Sequence, residues 1–167
     1  MASLATALGL RGSNPPSLAG AYLIFHFMWA YGITSSRTLK QIYGLDHNVS
    51  PREDLAKYGS AAVSSGKITQ RQLDMLKRNE SAHANSYENF PVFVGAILWA
   101  HVAGLDNVQI NGSALVYTVI RIVYVAVYIL VDTPKLSQLR GVCWWIGNVT
   151  CLRLFWQGML AINASKS

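Results

Sequence analysis

The stretch Lys77-Arg78-Asn79-Glu80-Ser81-Ala82-His83-Ala84-Asn85-Ser86-Tyr87-Glu88-Asn89-Phe90-Pro91 runs without a break into the apolar segment Val92 to Leu105. A cluster of ionisable and amide side chains leading into a hydrophobic run of lipid-spanning length is expensive, and by default it marks a functional site in a membrane protein. On a helix, Arg78, Ser81 or Ala82, Asn85 and Glu88 fall at three- and four-residue spacings and share one face. That face presents a cation, an amide and a carboxylate together. Pro91 lies inside the same helical pattern, where it is expected to kink the axis and release a backbone carbonyl one turn past Glu88.

Composition supports a lipid environment. The chain has 167 residues, 51% hydrophobic and only 13% charged, against about 25% charged for a water-soluble domain. One domain is the natural division at this length. The net charge of +6 does not point to nucleic acid, because the basic residues sit between apolar runs and form no continuous patch. Cys143 and Cys151 are the only cysteines. Eight residues apart on one helix, they lie about 12 Å apart along the axis and cannot join within a chain. They read as small buried hydrophobes, and no zinc-type spacing suggests a metal.

Residues 1–16 read as a mobile leader ending in Pro15-Pro16. From Ser17 to Lys40 a helix would cover about 36 Å, enough to cross a hydrocarbon core of about 30 Å. His26 at mid-span is expected to bond a neighbouring helix. Arg37 and Lys40 are expected to snorkel at its polar end. A polar connection follows, with a helix start near Asn48-Val49-Ser50-Pro51-Arg52-Glu53-Asp54. Thr69 is placed to cap a long second helix over 70–105. A third span is expected over 113–132 and a fourth over 137–162, with 164–167 as a tail. The whole of 17–163 reads as a single four-helix membrane domain.

Arg121 interrupts the third span and must face other helices, because lipid exposure is costly. Tyr117, Arg121, Tyr124 and Tyr128 form one polar-aromatic stripe, read either as a structural ion-pair site or as part of a binding site. Arg153 and Asn148 in the fourth span likewise call for partners. The first loop and its flanks hold Arg37, Lys40, Arg52, Lys57, Lys67, Arg71, Lys77 and Arg78, and the third connection adds Lys135 and Arg140. The positive-inside rule puts these loops in the cytosol and both termini in the lumen or outside.

Two motifs then carry a resemblance. Ala82-His83-Ala84-Asn85-Ser86-Tyr87-Glu88-Asn89-Phe90-Pro91 resembles the second-helix motif of the MAPEG family, the membrane-associated proteins in eicosanoid and glutathione metabolism. Arg121-Ile122-Val123-Tyr124-Val125-Ala126-Val127-Tyr128, followed by Ser137-Gln138-Leu139-Arg140, resembles that family's third helix and the arginine opening its fourth. The resemblance runs from about Arg37 to the end of the fourth helix. It implies an all-α membrane protein, an antiparallel four-transmembrane-helix bundle assembling as a homotrimer, multi-pass in the endoplasmic reticulum. It also implies glutathione bound between subunits near the cytosolic side and a lipophilic small-molecule substrate.

Carried over by position, Asn85 and Glu88 would hold the peptide backbone of glutathione, Tyr124 and Tyr128 would touch it, and Arg121 would brace it. Arg37 would meet its carboxylates. Arg140, with Tyr128 beside it, would be catalytic. Ser81 departs from the pattern, standing where many members carry an arginine, and Arg78 one turn earlier is the nearest replacement. Three functions therefore stay open: a glutathione-dependent transferase, peroxidase or isomerase, a glutathione-independent isomerase or cyclase on the same scaffold, and a non-catalytic lipid-presenting protein.

Overall fold

A computed structural model describes residues 3–165. All of its regular structure is helical. In chain order the elements are α1 (Leu4–Ala7), α2 (Ala19–Met28), a π-helical turn (Trp29–Ile33), α3 (Ser36–Ile42), α4 (Asp54–Ser64), α5 (Gln70–Val102), α6 (Asn107–Leu130), α7 (Pro134–Ser137) and α8 (Leu139–Ala164).

Local chemistry explains the main helix starts. The Thr69 hydroxyl accepts from the Gln72 N–H while the Gln72 side chain accepts from the Thr69 N–H, a reciprocal capping box that begins α5. Asp106 caps α6 by accepting from the Gln109 N–H at 2.9 Å. α5 then runs for 33 residues, straight through Pro91, a length of about 50 Å.

The first expected helix, 17–40, is not continuous. After Met28 the backbone widens into the π turn, and Thr34 closes it: its hydroxyl donates to the carbonyls of Trp29 at 2.8 Å and Ala30 at 3.2 Å. Ser35 is extended, and α3 restarts as a separate piece. A β-branched threonine able to satisfy two freed carbonyls makes this break locally stable.

The segment expected as a mobile leader is tied down within its described part. Asn111, fully buried on α6, donates to the carbonyls of Gly9 at 3.1 Å and Pro16 at 2.9 Å and accepts from the Leu18 N–H at 3.0 Å. Asn107 adds a bond to the Pro15 carbonyl.

α5, α6 and α8 pack together around Phe93, Ala96, Ile97, Ala100, Ile110, Ala114, Tyr117, Cys151 and Leu154. Small residues at these crossings let the backbones approach closely. His26 of α2 is buried in this core and shares a 2.9 Å hydrogen bond with Thr118 of α6. A second core, Leu45, Leu55, Ala62, Ile68, Leu73 and Leu76, joins α4 to the polar half of α5. Cys143 and Cys151 are buried free thiols.

The outside of the bundle is strongly apolar. On α8 alone Val142, Trp145, Ile146, Val149, Leu152, Trp156, Met159 and Leu160 are exposed, and α6 adds Val116, Val119, Ile122 and Val123. An apolar surface of that extent is what a membrane or a partner chain covers. Among the described residues only α6 is long and apolar enough to cross a bilayer by length and composition, with mean hydropathy 2.0. The first segment is broken into short pieces, α5 is half polar, and α8 carries Arg140, Asn148, Arg153 and Gln157.

Candidate functional site

The junction between the polar and apolar halves of α5 lies beside the second half of α6. Asn85 faces Arg121, whose Nη2 donates to the Asn85 side-chain oxygen at 2.9 Å and to its backbone carbonyl at 3.1 Å. Arg121 is 3% exposed and has no carboxylate within ion-pair distance among the described residues. The cation is instead satisfied by amide oxygens and by the face of Tyr124, 4.5 Å from its ring centroid.

Tyr124 meets Tyr128 edge to face, with ring centroids 5.6 Å apart. The Arg140 guanidinium at the start of α8 lies 4.2 Å from the Tyr128 ring centroid. A single ladder results: Asn85, Arg121, Tyr124, Tyr128, Arg140. It alternates amide, cation, aromatic, aromatic and cation, and it joins three helices. Glu88, one turn beyond Asn85 on α5, is exposed. Tyr128 and Arg140 are only partly covered, so the Arg140 end is open to a ligand while the Arg121 end is closed.

Two other candidate residues lie elsewhere within the chain. Arg37 is engaged by Asp46 through two bonds, Nε to Oδ1 at 2.9 Å and Nη2 to Oδ2 at 2.6 Å, and also donates to the Asn48 side chain. That fork holds the Asp46 carboxyl below the usual carboxylate range. Arg37 lines a cleft of about 340 Å³ with Arg52, Glu80, His83 and Tyr87. Arg78 donates through Nε to the Ile129 carbonyl at 3.0 Å, at a separate cleft lined also by Tyr43 and Asp132. The Ser81 hydroxyl turns back to the Lys77 carbonyl and extends nothing toward the ladder.

One charged cluster escaped the reading of the sequence. Lys40, expected to snorkel, is 1% exposed. Its ammonium donates to Glu80 at 2.9 Å and to the Pro51 carbonyl, and lies 3.9 Å from Asp54. Asp54, also 1% exposed, accepts from the His47 backbone N–H at 3.0 Å and is paired with the His47 ring at 3.1 Å. The available signal was the pair of acids, Asp54 and Glu80, set among basic residues; which lysine they neutralise depends on the tertiary fold. Among the described residues no group of three His, Cys, Asp or Glu side chains could hold a metal ion.

Comparison with known proteins found no matching curated sequence and no matching solved structure. A family model described as the MAPEG family matches residues 16–160. That range takes in the Asn85-to-Pro91 motif, the arginine-tyrosine ladder and every helix from α2 through most of α8. The chain therefore belongs to the MAPEG family, a family of membrane-associated proteins.

Proposed function

We propose that this protein is a glutathione-dependent membrane enzyme, a transferase, peroxidase or isomerase acting on a lipophilic electrophile. In this reading segments 17–40, 70–105, 113–132 and 137–162 all cross the bilayer, with basic loops on the cytosolic face of the endoplasmic reticulum. Three copies assemble with sites between them. The observation that carries the reading is the ladder from Asn85 to Arg140, because its outer cation has no acidic partner among the described residues.

The donor chemistry suits glutathione, which carries two carboxylates, an amine and a thiol. In this reading the exposed Glu88 carboxylate would pair an ammonium, and Arg140 and Tyr128 would meet an anion. When bound, glutathione supplies the nucleophilic sulfur. Arg140 favours its thiolate over its thiol, each pKa unit of lowering being about 1.4 kcal/mol of preferential stabilisation. A guanidinium keeps its charge in a water-poor site where a lysine could lose its own. Arg121 acts at one remove: its bonds to both oxygens of Asn85 fix that side chain. Arg37 would complete a neighbouring subunit's site only by leaving Asp46.

Conjugation of glutathione to chlorodinitrobenzene by detergent-purified protein tests the reading. Wild type should turn over, and Arg140→Ala should lose about tenfold or more of the rate, as expected for at least one unit of lost thiolate stabilisation. Equal inertness of both, with no glutathione heat by calorimetry, refutes it. The second reading, a glutathione-independent isomerase or cyclase, is favoured by two observations: Arg37 is neutralised by Asp46, and Ser81 supplies no cation. Activity on a lipophilic substrate without glutathione, lost in Arg140→Ala, would select it.

A further inference from the structure

Arg78 stands nearest to the arginine that Ser81 replaces, yet the fold commits it elsewhere. Its Nε donates to the Ile129 carbonyl at 3.0 Å, which fixes the guanidinium in a cleft of about 380 Å³ between the start of α5 and the end of α6. The two terminal nitrogens of that guanidinium form no hydrogen bond or ion pair among the described residues. The acids nearby are already engaged. Asp132, which lines the cleft, is held by Arg71 through Nε and Nη2, each 3.1 Å from Oδ2. Asp74, one turn before Arg78, accepts from the Gln70 side chain at 2.9 Å and is not part of the lining. Thr69 and Gln72 are spent on the capping box of α5. The Tyr43 hydroxyl, also at the cleft, forms no hydrogen bond among the described residues. With Arg71 and Asp132 cancelling each other, the cleft carries one net positive charge and spare donors from Arg78 and Tyr43.

The level of this cleft matters as much as its charge. α6 has 24 residues, about 36 Å, and so outruns a hydrocarbon core of about 30 Å. Its last residue, Leu130, belongs at the headgroup level of a bilayer and is 70% exposed. Met75, Ile129 and Leu130 form the apolar part of the cleft. Val123, seven residues before Leu130 and therefore on the same helix face, is exposed as well. A polar rim thus stands at one end of an apolar strip that runs down α6.

We propose that this cleft holds the headgroup of an anionic glycerophospholipid, its phosphodiester on Arg78 and Tyr43 and an acyl chain along Leu130 and Val123. A guanidinium with free terminal nitrogens matches a phosphate in charge and in donor geometry, and basic recesses at the ends of membrane helices are sites where such headgroups collect. The adjoining apolar strip selects a lipid over a free phosphate. An anionic headgroup is selected over a choline or ethanolamine one because the lining's acid, Asp132, is already paired and offers nothing to an ammonium. The volume falls within the roughly 300–1,000 Å³ of sites that take one small molecule. The proposal depends on the chain residing in a bilayer and not on glutathione chemistry.

Native mass spectrometry of the delipidated full chain in detergent, titrated with dioleoylphosphatidylglycerol or dioleoylphosphatidylcholine in the absence of glutathione, tests it. Wild type should show a saturable site that prefers phosphatidylglycerol by at least about tenfold. Arg78→Gln should abolish the preference, and Arg78→Lys, which keeps a point charge, should retain part of it. Lys77→Gln, at an exposed neighbour outside the cleft, should leave it unchanged. Equal binding of the two lipids to wild type overturns the proposal even if Arg78→Gln fails to fold. Loss of the preference in Lys77→Gln as large as in Arg78→Gln overturns it in favour of diffuse surface charge. Displacement of the lipid by glycerol 3-phosphate at comparable concentration overturns it in favour of a free phosphate. Displacement by glutathione returns Arg78 to the glutathione site and overturns it likewise.

Discussion

Replacing Lys40 with methionine isolates the buried charge cluster that ties α3 to α4 and α5. The ammonium lies 2.9 Å from Glu80 and 3.9 Å from Asp54, and both Lys40 and Asp54 are 1% exposed. With an effective dielectric of 20, those separations correspond to about 6 and 4 kcal/mol of attraction. Glu80 is 30% exposed, so solvent screens its share, and desolvation offsets much of the remainder. The relevant quantity is the penalty of leaving Asp54 buried with only His47 beside it, about 3–5 kcal/mol for a broken buried pair. At about 2–4 °C per kcal/mol for a chain of this size, Lys40→Met should lower the melting temperature by roughly 6–20 °C. Cys143 and Cys151 provide the readout, since both thiols are buried and a fluorogenic maleimide reacts as they become exposed on heating. The double variant Lys40→Met/Asp54→Leu should be less destabilised than the sum of the single variants, by roughly 0.5–3 kcal/mol of coupling. A shift below about 2 °C for Lys40→Met, or strict additivity in the cycle, would refute the buried ion cluster.

Other consequences are open to direct measurement. Arg121→Gln removes both bonds to Asn85 and should cost about 1.5–3 kcal/mol of thermal stability for hydrogen bonds from a charged donor, while weakening glutathione binding by calorimetry; Arg121→Lys, which lacks the planar fork, should not restore the binding. The Asp46 carboxyl is held below its ordinary value by Arg37, so this pair contributes stability above about pH 4 that is lost as pH falls through the lowered value. Melting curves from neutral pH downward should therefore show an acid-dependent loss in wild type that is smaller in Asp46→Asn. Asn111→Ala strands two carbonyls and one N–H of the N-terminal segment and should speed proteolysis between residues 8 and 18, with a stability loss of about 1–3 kcal/mol for each group left buried.

How much was legible in the sequence depends on the range of the interaction. Capping by Thr69 is written in neighbouring residues, and so is the long helix that follows, whereas α6 starts at Asn107 under an Asp106 cap, six residues before the expected span over 113–132. The arginine-tyrosine ladder was legible as a spacing, because Arg121, Tyr124 and Tyr128 share a helix face. Its hydrogen bond to Asn85 crosses 36 positions and follows from both motifs facing one interface. The Lys40 cluster was not legible, because a lysine at the end of an apolar run has a sufficient local explanation in snorkelling, and its acids lie 14 and 40 residues away. Arg37 was assigned by its place in a motif, yet its fork is occupied by Asp46, nine residues on. Nothing local to Asn111 shows that it pins three backbone groups.

The π turn at Trp29–Ile33 has a consequence for spacing. An α-helix advances each residue by about 100° around its axis, so accommodating one extra residue in a wide turn changes the azimuth of everything beyond it. Excising a single residue there would let the winding close regularly, yet it would displace α3 relative to α5 and draw Lys40 away from Glu80. The turn thus sets the spacing between the exposed Phe27 of α2 and the ionic contacts of α3, and it makes this short interval intolerant of length variation.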